Sequence, residues 1–172
     1  LLILALISTG CLSINSTPLR DQESYLKTRE SLERVRPHVG PDPPVHPLMA
    51  GSAREDITPP IGTPLAGYGN RMGRGSTGVH DRLYTRSLAL SDGDQTVIIL
   101  ANDLLAITDD MRNAVYEKIT REISLKPDSL MISASHTHSG PGALAKRVWE
   151  SFATGPFEPA VFEEMTRKMA WA

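Results

Sequence analysis

The segment at residues 130–142, LMISASHTHSGPG, constrains this chain more than any other part of the sequence. It begins with apolar and β-branched residues, which favour a buried strand. It then passes directly into two histidines, several hydroxyl side chains and a Gly-Pro-Gly turn. Loops of this kind, carried by a rigid scaffold, often hold binding or catalytic residues. We therefore expect the chemistry of the chain to be located here.

The two histidines of this segment stand two residues apart. On an extended chain, residues at i and i+2 point to the same side, so His136 and His138 are predicted to face one cavity. Ser135 and Thr137 then face away. Two neutral imidazoles on one wall provide half of a zinc site, which usually takes three or four nitrogen, oxygen or sulfur ligands. A His-x-His pair is also compatible with surface or packed histidines, and the spacing alone leaves both interpretations open.

The turn Ser139-Gly140-Pro141-Gly142 follows the histidines directly. Glycines allow backbone N–H groups to approach a ligand closely or turn the chain sharply. Ser139 and Gly140 are therefore candidates for the substrate side of a site. A plain turn is the alternative interpretation of this tetrapeptide.

Strand, helix and strand alternate in the part of the chain that precedes the histidines. Residues 96–105 are nearly all apolar and predict a strand covered on both faces. A helix capped by Thr108 follows, and its apolar residues at helical spacing are assigned to the core: Met111, Val115, Ile119, Ile123. Residues 129–135 form the next strand, which gives a βαβ unit with a parallel pair. With further strands at 49–57 and 83–90, the predicted fold class is α/β, a mixed sheet with a βαβ unit and flanking helices.

Ligands of such sheets bind beyond the carboxyl ends of the strands. This rule places Asn102 and Asp103, at the end of one strand, near the two histidines at the end of the other. Asp103 is then a candidate to accept the free ring N–H of a metal-bound histidine. A structural role, in capping the loop before Thr108, is the alternative for this aspartate.

Two further apolar or glycine-rich loops could contribute to a site. The long loop between residues 58 and 78 contains Gly67-Tyr68-Gly69, which predicts either a wall of a binding site or a flexible surface turn. After Gly142 come several apolar residues that could cover a lipid-binding groove or pack against other parts of the domain: Leu144, Trp149, Phe152, Phe157.

The composition of the chain fits one ordinary folded domain. It has 172 residues, a formal net charge of -2, 40% hydrophobic residues and 22% charged residues. The absence of a basic excess removes the electrostatic footprint of a nucleic-acid-binding protein. A single cysteine, Cys11, cannot form an internal disulfide.

The first eleven residues, LLILALISTGC, are typical of an export signal. A cysteine directly after Thr9-Gly10 resembles a bacterial lipoprotein processing site, at which Cys11 would attach the protein to a membrane. An ordinary signal peptide and a short buried helix are the alternatives, since about ten apolar residues cannot span a bilayer that needs about twenty. We therefore expect an exported protein, which is periplasmic, a cell-envelope lipoprotein or secreted.

The chain divides into three predicted segments. Residues 1–11 are the signal or lipoprotein segment, and residues 12–47 hold a helix at 22–36 followed by a proline-rich linker. The helix has a thin apolar face, which favours a solvated helix over a docked one. Residues 48–172 form the folded domain, which we expect to be truncated at its C-terminus because the chain stops inside a predicted helix.

Several segments in a fixed order resemble the N-terminal part of the neutral/alkaline non-lysosomal ceramidase family. They are REDITPP at 54–60, GYG at 67–69, GVHDRLYTR at 78–86 and HTHSGPG at 136–142. The resemblance covers approximately residues 49 to 141. It implies the N-terminal part of a larger catalytic domain, in a zinc-dependent amidase that cleaves N-acylsphingosine to a fatty acid and a sphingoid base.

The resemblance also assigns roles to residues. It implies that His136 ligates Zn²⁺ and that His138 contacts the substrate amide or the attacking water. A further His, Glu and Tyr of the family lie well downstream of this motif, and only 34 residues follow His138 here. We therefore expect the chain to be part of such an enzyme and inactive by itself, because one or two protein ligands rarely hold zinc firmly.

One matching segment departs from the family pattern. Ceramidases carry a Gly-Ile-His segment followed by a basic run, whereas this chain has Gly78-Val79-His80-Asp81. The chain is in this respect similar to the broad bacterial branch of the family, in which the lipid-like amide substrate need not be ceramide. His80 is a candidate near the substrate without an assigned role. The alternative from another class is a non-catalytic surface lipoprotein that uses the domain to bind lipid or glycan.

Overall fold

The computed structural model describes residues 17–34 and 46–172, and the chain forms two compact units, Leu1–Pro43 and Pro44–Ala172. Cys11 and most of the predicted linker lie outside the described residues. In the first unit, helix α1 (Glu23–Arg34) carries three ion pairs at i,i+4 spacing and has no buried residue. Whether this helix docks on the folded domain stays a prediction from the sequence.

The second unit is built on a four-stranded mixed sheet with the order β1-β2-β3-β4. Its strands are β1 (Met49–Asp56), β2 (Tyr84–Ser91), β3 (Thr96–Asn102) and β4 (Leu130–Ala134). Strand β2 pairs with β1 and β3 in antiparallel orientation, and β3 pairs with β4 in parallel. The predicted mixed sheet and βαβ unit are confirmed.

Two longer helices of the second unit pack with this sheet, and a third, short helix lies between them in the sequence. Helix α2 (Asp109–Ile119) crosses from β3 to β4, and the Thr108 hydroxyl accepts the Met111 N–H at 3.2 Å, as predicted for its cap. The short α3 (Ser151–Thr154) precedes α4 (Pro159–Trp171). The sheet and its helices share one core, which includes Ile98, Leu100, Leu104, Met111, Val115, Ile119, Leu130, Phe162, Met165 and Met169.

Two predictions about burial are wrong. In β3, the face with Ile98 and Leu100 is buried, but Val97 is 41% exposed. The strand is thus covered on one face only, because the core-forming residues of α2 and α4 all pack with the Ile98 face. Ile123 is 43% exposed because α2 ends at Ile119, four residues earlier.

The lengths of the described helices bear on membrane crossing. A helix needs about 20 apolar residues to cross the hydrocarbon core. Within residues 17–34 and 46–172, every helix is too short or too polar to do so.

Candidate active site

The histidines lie in a turn just beyond β4, and not on the strand itself. Strand β4 ends at Ala134, and His136 has a φ of 60°, in the left-handed region that non-glycine residues rarely adopt. The His136 and His138 rings nevertheless meet, with centroids 5.0 Å apart and planes at 78°. The two rings are adjacent, and a turn rather than strand alternation brings them together. Backbone strain of this kind is often found at functional sites.

The segment at residues 102–105, at the end of β3, forms one side of this turn, and we call it the β3 wall. Its backbone carbonyls lie along the loop that carries the histidines. Three of them accept hydrogen bonds: Asn102 from the Ser135 N–H at 2.9 Å, Leu104 from the Thr137 N–H at 3.2 Å, and Leu105 from His136 Nδ1 at 2.8 Å. The β3 wall therefore fixes both the backbone of the loop and the His136 ring.

The hydrogen bond to Leu105 also determines the tautomer of His136. A carbonyl oxygen can only accept, so Nδ1 carries a proton, and the lone pair of the neutral ring is then on Nε2. His136 is exposed, which leaves Nε2 accessible to a ligand. Metal-binding histidines are usually oriented in this way, by a hydrogen bond from the other ring nitrogen.

The structure gives this orienting role to the Leu105 carbonyl and not to Asp103, which corrects the prediction for that carboxylate. Asp103 Oδ2 accepts the Tyr84 N–H at 2.9 Å and pairs with Arg86 at 3.1 Å. Asp103 therefore ties the end of β3 to β2. The physical reason is local pairing, since Asp103 lies in the bend after β3 directly beside Tyr84, and its own N–H also donates to the Tyr84 carbonyl at 3.0 Å.

A second segment, residues 66–71, encloses the His138 ring, and we call it the tyrosine loop. Gly67 has a φ of 106°, and a Cβ at this position would lie 2.5 Å from His138 Cγ. The Tyr68 ring meets the His138 ring edge-on, with centroids 4.7 Å apart. Of the two interpretations of Gly67-Tyr68-Gly69, the binding wall is the one that this geometry supports.

The environment of His138 differs from that of His136. Its Nδ1 is buried and has no hydrogen-bond partner among the described residues. Because Nδ1 is not accessible, only Nε2 can act on a substrate or a water molecule. Burial of a polar atom without a partner costs about 1 to 3 kcal/mol, and such a cost is consistent with a functional position.

Arg71 belongs to the site, although no pattern in the sequence indicates its role. One guanidinium nitrogen, Nη1, donates to the Ala66 carbonyl at 2.8 Å and to the His138 carbonyl at 2.5 Å. The guanidinium carbon also lies 4.8 Å from the centroid of the Tyr68 ring. The contact with His138 joins residues 67 positions apart in the sequence, so no local sequence pattern predicts it.

The three residues predicted for the substrate side line a separate cavity of about 410 Å³. Ser139, Gly140 and His80 all border it, together with Thr137, whereas among its described lining residues neither of the two site histidines occurs. The His80 side chain is 96% exposed, and its hydrogen bond to the Asp81 carboxylate raises the pKa of the imidazole. The structure thus brings three predicted residues together, on a surface different from that of the paired rings.

A larger cavity of about 590 Å³ adjoins this one. It lies between the Pro59-Pro60 turn and helix α4, and both cavities are bordered by Thr58, Pro59 and Val79. The apolar residues after Gly142 were predicted either to cover a groove or to pack in the domain, and they differ in burial. Leu144 is buried in the core, whereas Trp149 and Phe152 are 66% and 78% exposed.

The potential metal ligands are few. Within residues 17–34 and 46–172, no group of three or more His, Cys, Asp or Glu side chains is arranged to hold a metal ion. His136, with its accessible Nε2, fits the requirements of one zinc ligand. The described residues therefore provide part of a coordination set.

Residues 48–170 match the family model described as neutral/alkaline non-lysosomal ceramidase, N-terminal. The chain belongs to this family. Among curated ceramidases, the neutral ceramidase of Mycobacterium tuberculosis is 30% identical over 107 residues, which are 57% of this chain and 16% of that protein. The neutral ceramidase of Drosophila pseudoobscura is 28% identical over 123 residues, which are 68% of this chain and 17% of that protein. The chain thus spans about a sixth of the length of these ceramidases.

The fold also matches part of two solved ceramidase structures. The crystal structure of neutral ceramidase from Pseudomonas aeruginosa matches with a TM-score of 0.65 and 20% identity, over 73% of this chain and 21% of that one. A structure described as ceramidase complexed with C2 matches with a TM-score of 0.63 and 19% identity, over 73% of this chain and 20% of that one. The predicted α/β fold class is confirmed.

Proposed function

We propose that this chain is the N-terminal part of a zinc-dependent hydrolase that cleaves a linear amide bond. The observation that carries the proposal is the meeting of two imidazole rings, 5.0 Å apart, in the HTHSGPG turn at the carboxyl end of the parallel pair. Ligands of α/β sheets bind at such ends. Membership of the ceramidase family supports the same reaction class.

His136 is the residue proposed to hold zinc. Its Nδ1 proton is engaged by the Leu105 carbonyl, so Nε2 is the donor atom presented to the metal. A bound zinc ion supplies Lewis-acid polarisation of a scissile carbonyl. Further ligands are required, since a catalytic zinc usually has three protein ligands.

His138 is proposed to act on the substrate side. Because Nδ1 is buried, Nε2 is the nitrogen that contacts the amide or orients the attacking water. Gly67 and Tyr68 pack against the ring and keep it in one orientation. Because the ring is already held in place, less conformational entropy is lost when it is oriented for reaction.

The proposed substrate is a lipid-like N-acyl amide, with N-acylsphingosine as the reference compound. The curated relatives carry the name neutral ceramidase, which supports this class. They give no support to a non-catalytic lipid- or glycan-binding lipoprotein. Export of the protein and membrane attachment through Cys11 remain predictions from the sequence.

The test uses the full-length gene product. Zinc content is measured by elemental analysis in the wild type, in His136→Ala and in His46→Ala, an exposed histidine beside the hairpin at Gly93. A panel of N-acyl amides with different acyl chains is assayed in parallel. We expect stoichiometric zinc and hydrolysis in the wild type and in His46→Ala, and the loss of both in His136→Ala.

Two results would contradict this proposal. A wild-type protein without zinc and without turnover contradicts the hydrolase, and an active His136→Ala variant with full zinc contradicts the assigned ligand. The 172-residue chain by itself is expected to retain little zinc after dialysis, because its described residues provide an incomplete set of ligands.

A further inference from the structure

The His138 ring is held by packing and not by a hydrogen bond to its buried nitrogen. It lies against Gly67, where a Cβ would come within 2.5 Å of Cγ, and against the edge of Tyr68. Among the described residues, Nδ1 has no partner. The orientation of the ring therefore depends on the packing of the tyrosine loop against the turn that carries the histidines.

Arg71 connects these two segments directly. Its Nη1 donates to the carbonyl of Ala66, immediately before Gly67, and to the carbonyl of His138 itself. The guanidinium also lies over Tyr68, at 4.8 Å from the ring centroid. A single side chain thus contacts the residue that carries the ring and the loop that encloses it. Charge-assisted hydrogen bonds of this type are about twice as strong as neutral ones.

We propose that Arg71 is a positioning residue that holds the tyrosine loop against His138 and thereby fixes the His138 imidazole for catalysis. The inference rests on the proposed function, because it assigns His138 to the substrate side. Arginine suits this role better than lysine, since its planar group can donate to two carbonyls while it stacks on an aromatic ring. A lysine at this position retains the charge but not the planar geometry.

Arg74, three residues after Arg71 in the sequence, provides a matched control. It is exposed, and its side chain makes no hydrogen bond among the described residues. Arg71→Gln, Arg71→Lys and Arg74→Gln are prepared in the full-length gene product with zinc bound. Each variant is assayed for kcat and KM on an N-acyl amide. The reactivity of individual histidines toward diethyl pyrocarbonate is followed by peptide mass spectrometry.

We expect Arg71→Gln to lower kcat about 100-fold with little change in KM, because a displacement of about 1 Å in a catalytic group has an effect of this size. His138 should become more reactive toward the reagent, while the exposed His80 keeps its rate. Arg71→Lys should lie between wild type and Arg71→Gln in both measurements. Arg74→Gln should match the wild type in both.

Several outcomes would overturn the proposal. Wild-type kcat in Arg71→Gln contradicts a positioning role, and so does a lower kcat with unchanged His138 reactivity. If Arg71→Gln does not fold, Arg71→Lys decides between the same results. If the wild type hydrolyses no N-acyl amide, the proposed function fails, and His138 reactivity alone still decides whether Arg71 holds the ring.

Discussion

His136 and His138 are separated by a single residue, yet the protein holds them in different ways. The β3 wall orients His136 through a hydrogen bond to the backbone carbonyl of Leu105. The tyrosine loop holds His138 through close packing against Gly67 and Tyr68. One ring is fixed by an atom that every residue type possesses, and the other by the particular shapes of its neighbours.

This difference has a consequence for mutation. A backbone acceptor survives most side-chain changes, so the β3 wall is vulnerable mainly through the packing that keeps the wall itself in place. The tyrosine loop depends on the absence of one Cβ and on the presence of one aromatic ring. Substitutions in the two segments should therefore separate stability from activity.

The largest expected effect on stability lies in the β3 wall. Leu104 is fully buried, and Leu104→Ala should lower the free energy of unfolding by about 3 kcal/mol, because it leaves a cavity in the core. Zinc content per folded molecule should stay near that of the wild type, since the Leu105 carbonyl remains. Urea unfolding and elemental analysis of the full-length gene product measure the two quantities. Leu32→Ala in α1, 65% exposed, is the control and should change stability by less than about 0.5 kcal/mol.

The tyrosine loop should respond in the opposite way. Gly67→Ala introduces a Cβ against the His138 ring at a positive φ, and activity should fall about 100-fold. The backbone conformation adds a stability cost of about 1 to 2 kcal/mol. Gly51→Ala is the matched control, because nothing lies within 4 Å of the point that its Cβ would occupy. Activity within about twofold of wild type in Gly67→Ala would show that the close approach to His138 has no role in function.

A smaller effect is expected where the β3 wall leads into α2. Thr108→Ala removes the side chain that caps the helix, and should cost about 1 kcal/mol of stability. Thr77→Ala, at an exposed hydroxyl, should leave the unfolding curve unchanged. Equal free energies of unfolding for the two variants would mean that the Thr108 cap contributes nothing to the stability of the protein.

The smallest effect lies outside both segments, at the end of β1. The hydrogen bonds from Thr58, together with Arg82, lower the pKa of Asp56 to about 2. A carboxylate whose pKa falls on folding stabilises the protein above its unfolded pKa, and this contribution is lost as the pH falls from about 4 to about 2. Urea unfolding across this range should show a shallower pH dependence for Asp56→Asn. Identical profiles for wild type and variant would remove Asp56 from the acid response.

Much of the fold can be predicted from the sequence because the signals are local. The Thr108 cap, the apolar spacing of Met111, Val115 and Ile119, and the strand before the histidines all depend on neighbours within a few residues. The order of these elements predicts the parallel pair. The predicted burial of both faces of β3 is wrong because coverage of a strand depends on distant elements, and Val97 faces away from α2 and α4.

The site can be predicted less completely than the fold. His136 and His138 are recognisable as a motif, and Gly67-Tyr68-Gly69 as a candidate wall. The sequence assigns Asp103 to the wrong neighbour because its contact with Tyr84 forms only when the β2 and β3 strands pair. Arg71 carries no local signal, since its partner His138 lies 67 residues away.

The sequence by itself determined the elements, their order and the residue types that can carry out the chemistry, because propensity, capping and hydrophobic periodicity act over short distances. Only the tertiary structure decided which loops meet at the histidines and how each ring is held. Those contacts join segments that are remote in the chain, and they form only when the core brings β3, β4 and the tyrosine loop together. The left-handed backbone of His136 is maintained in the same way, by hydrogen bonds to a neighbouring strand end.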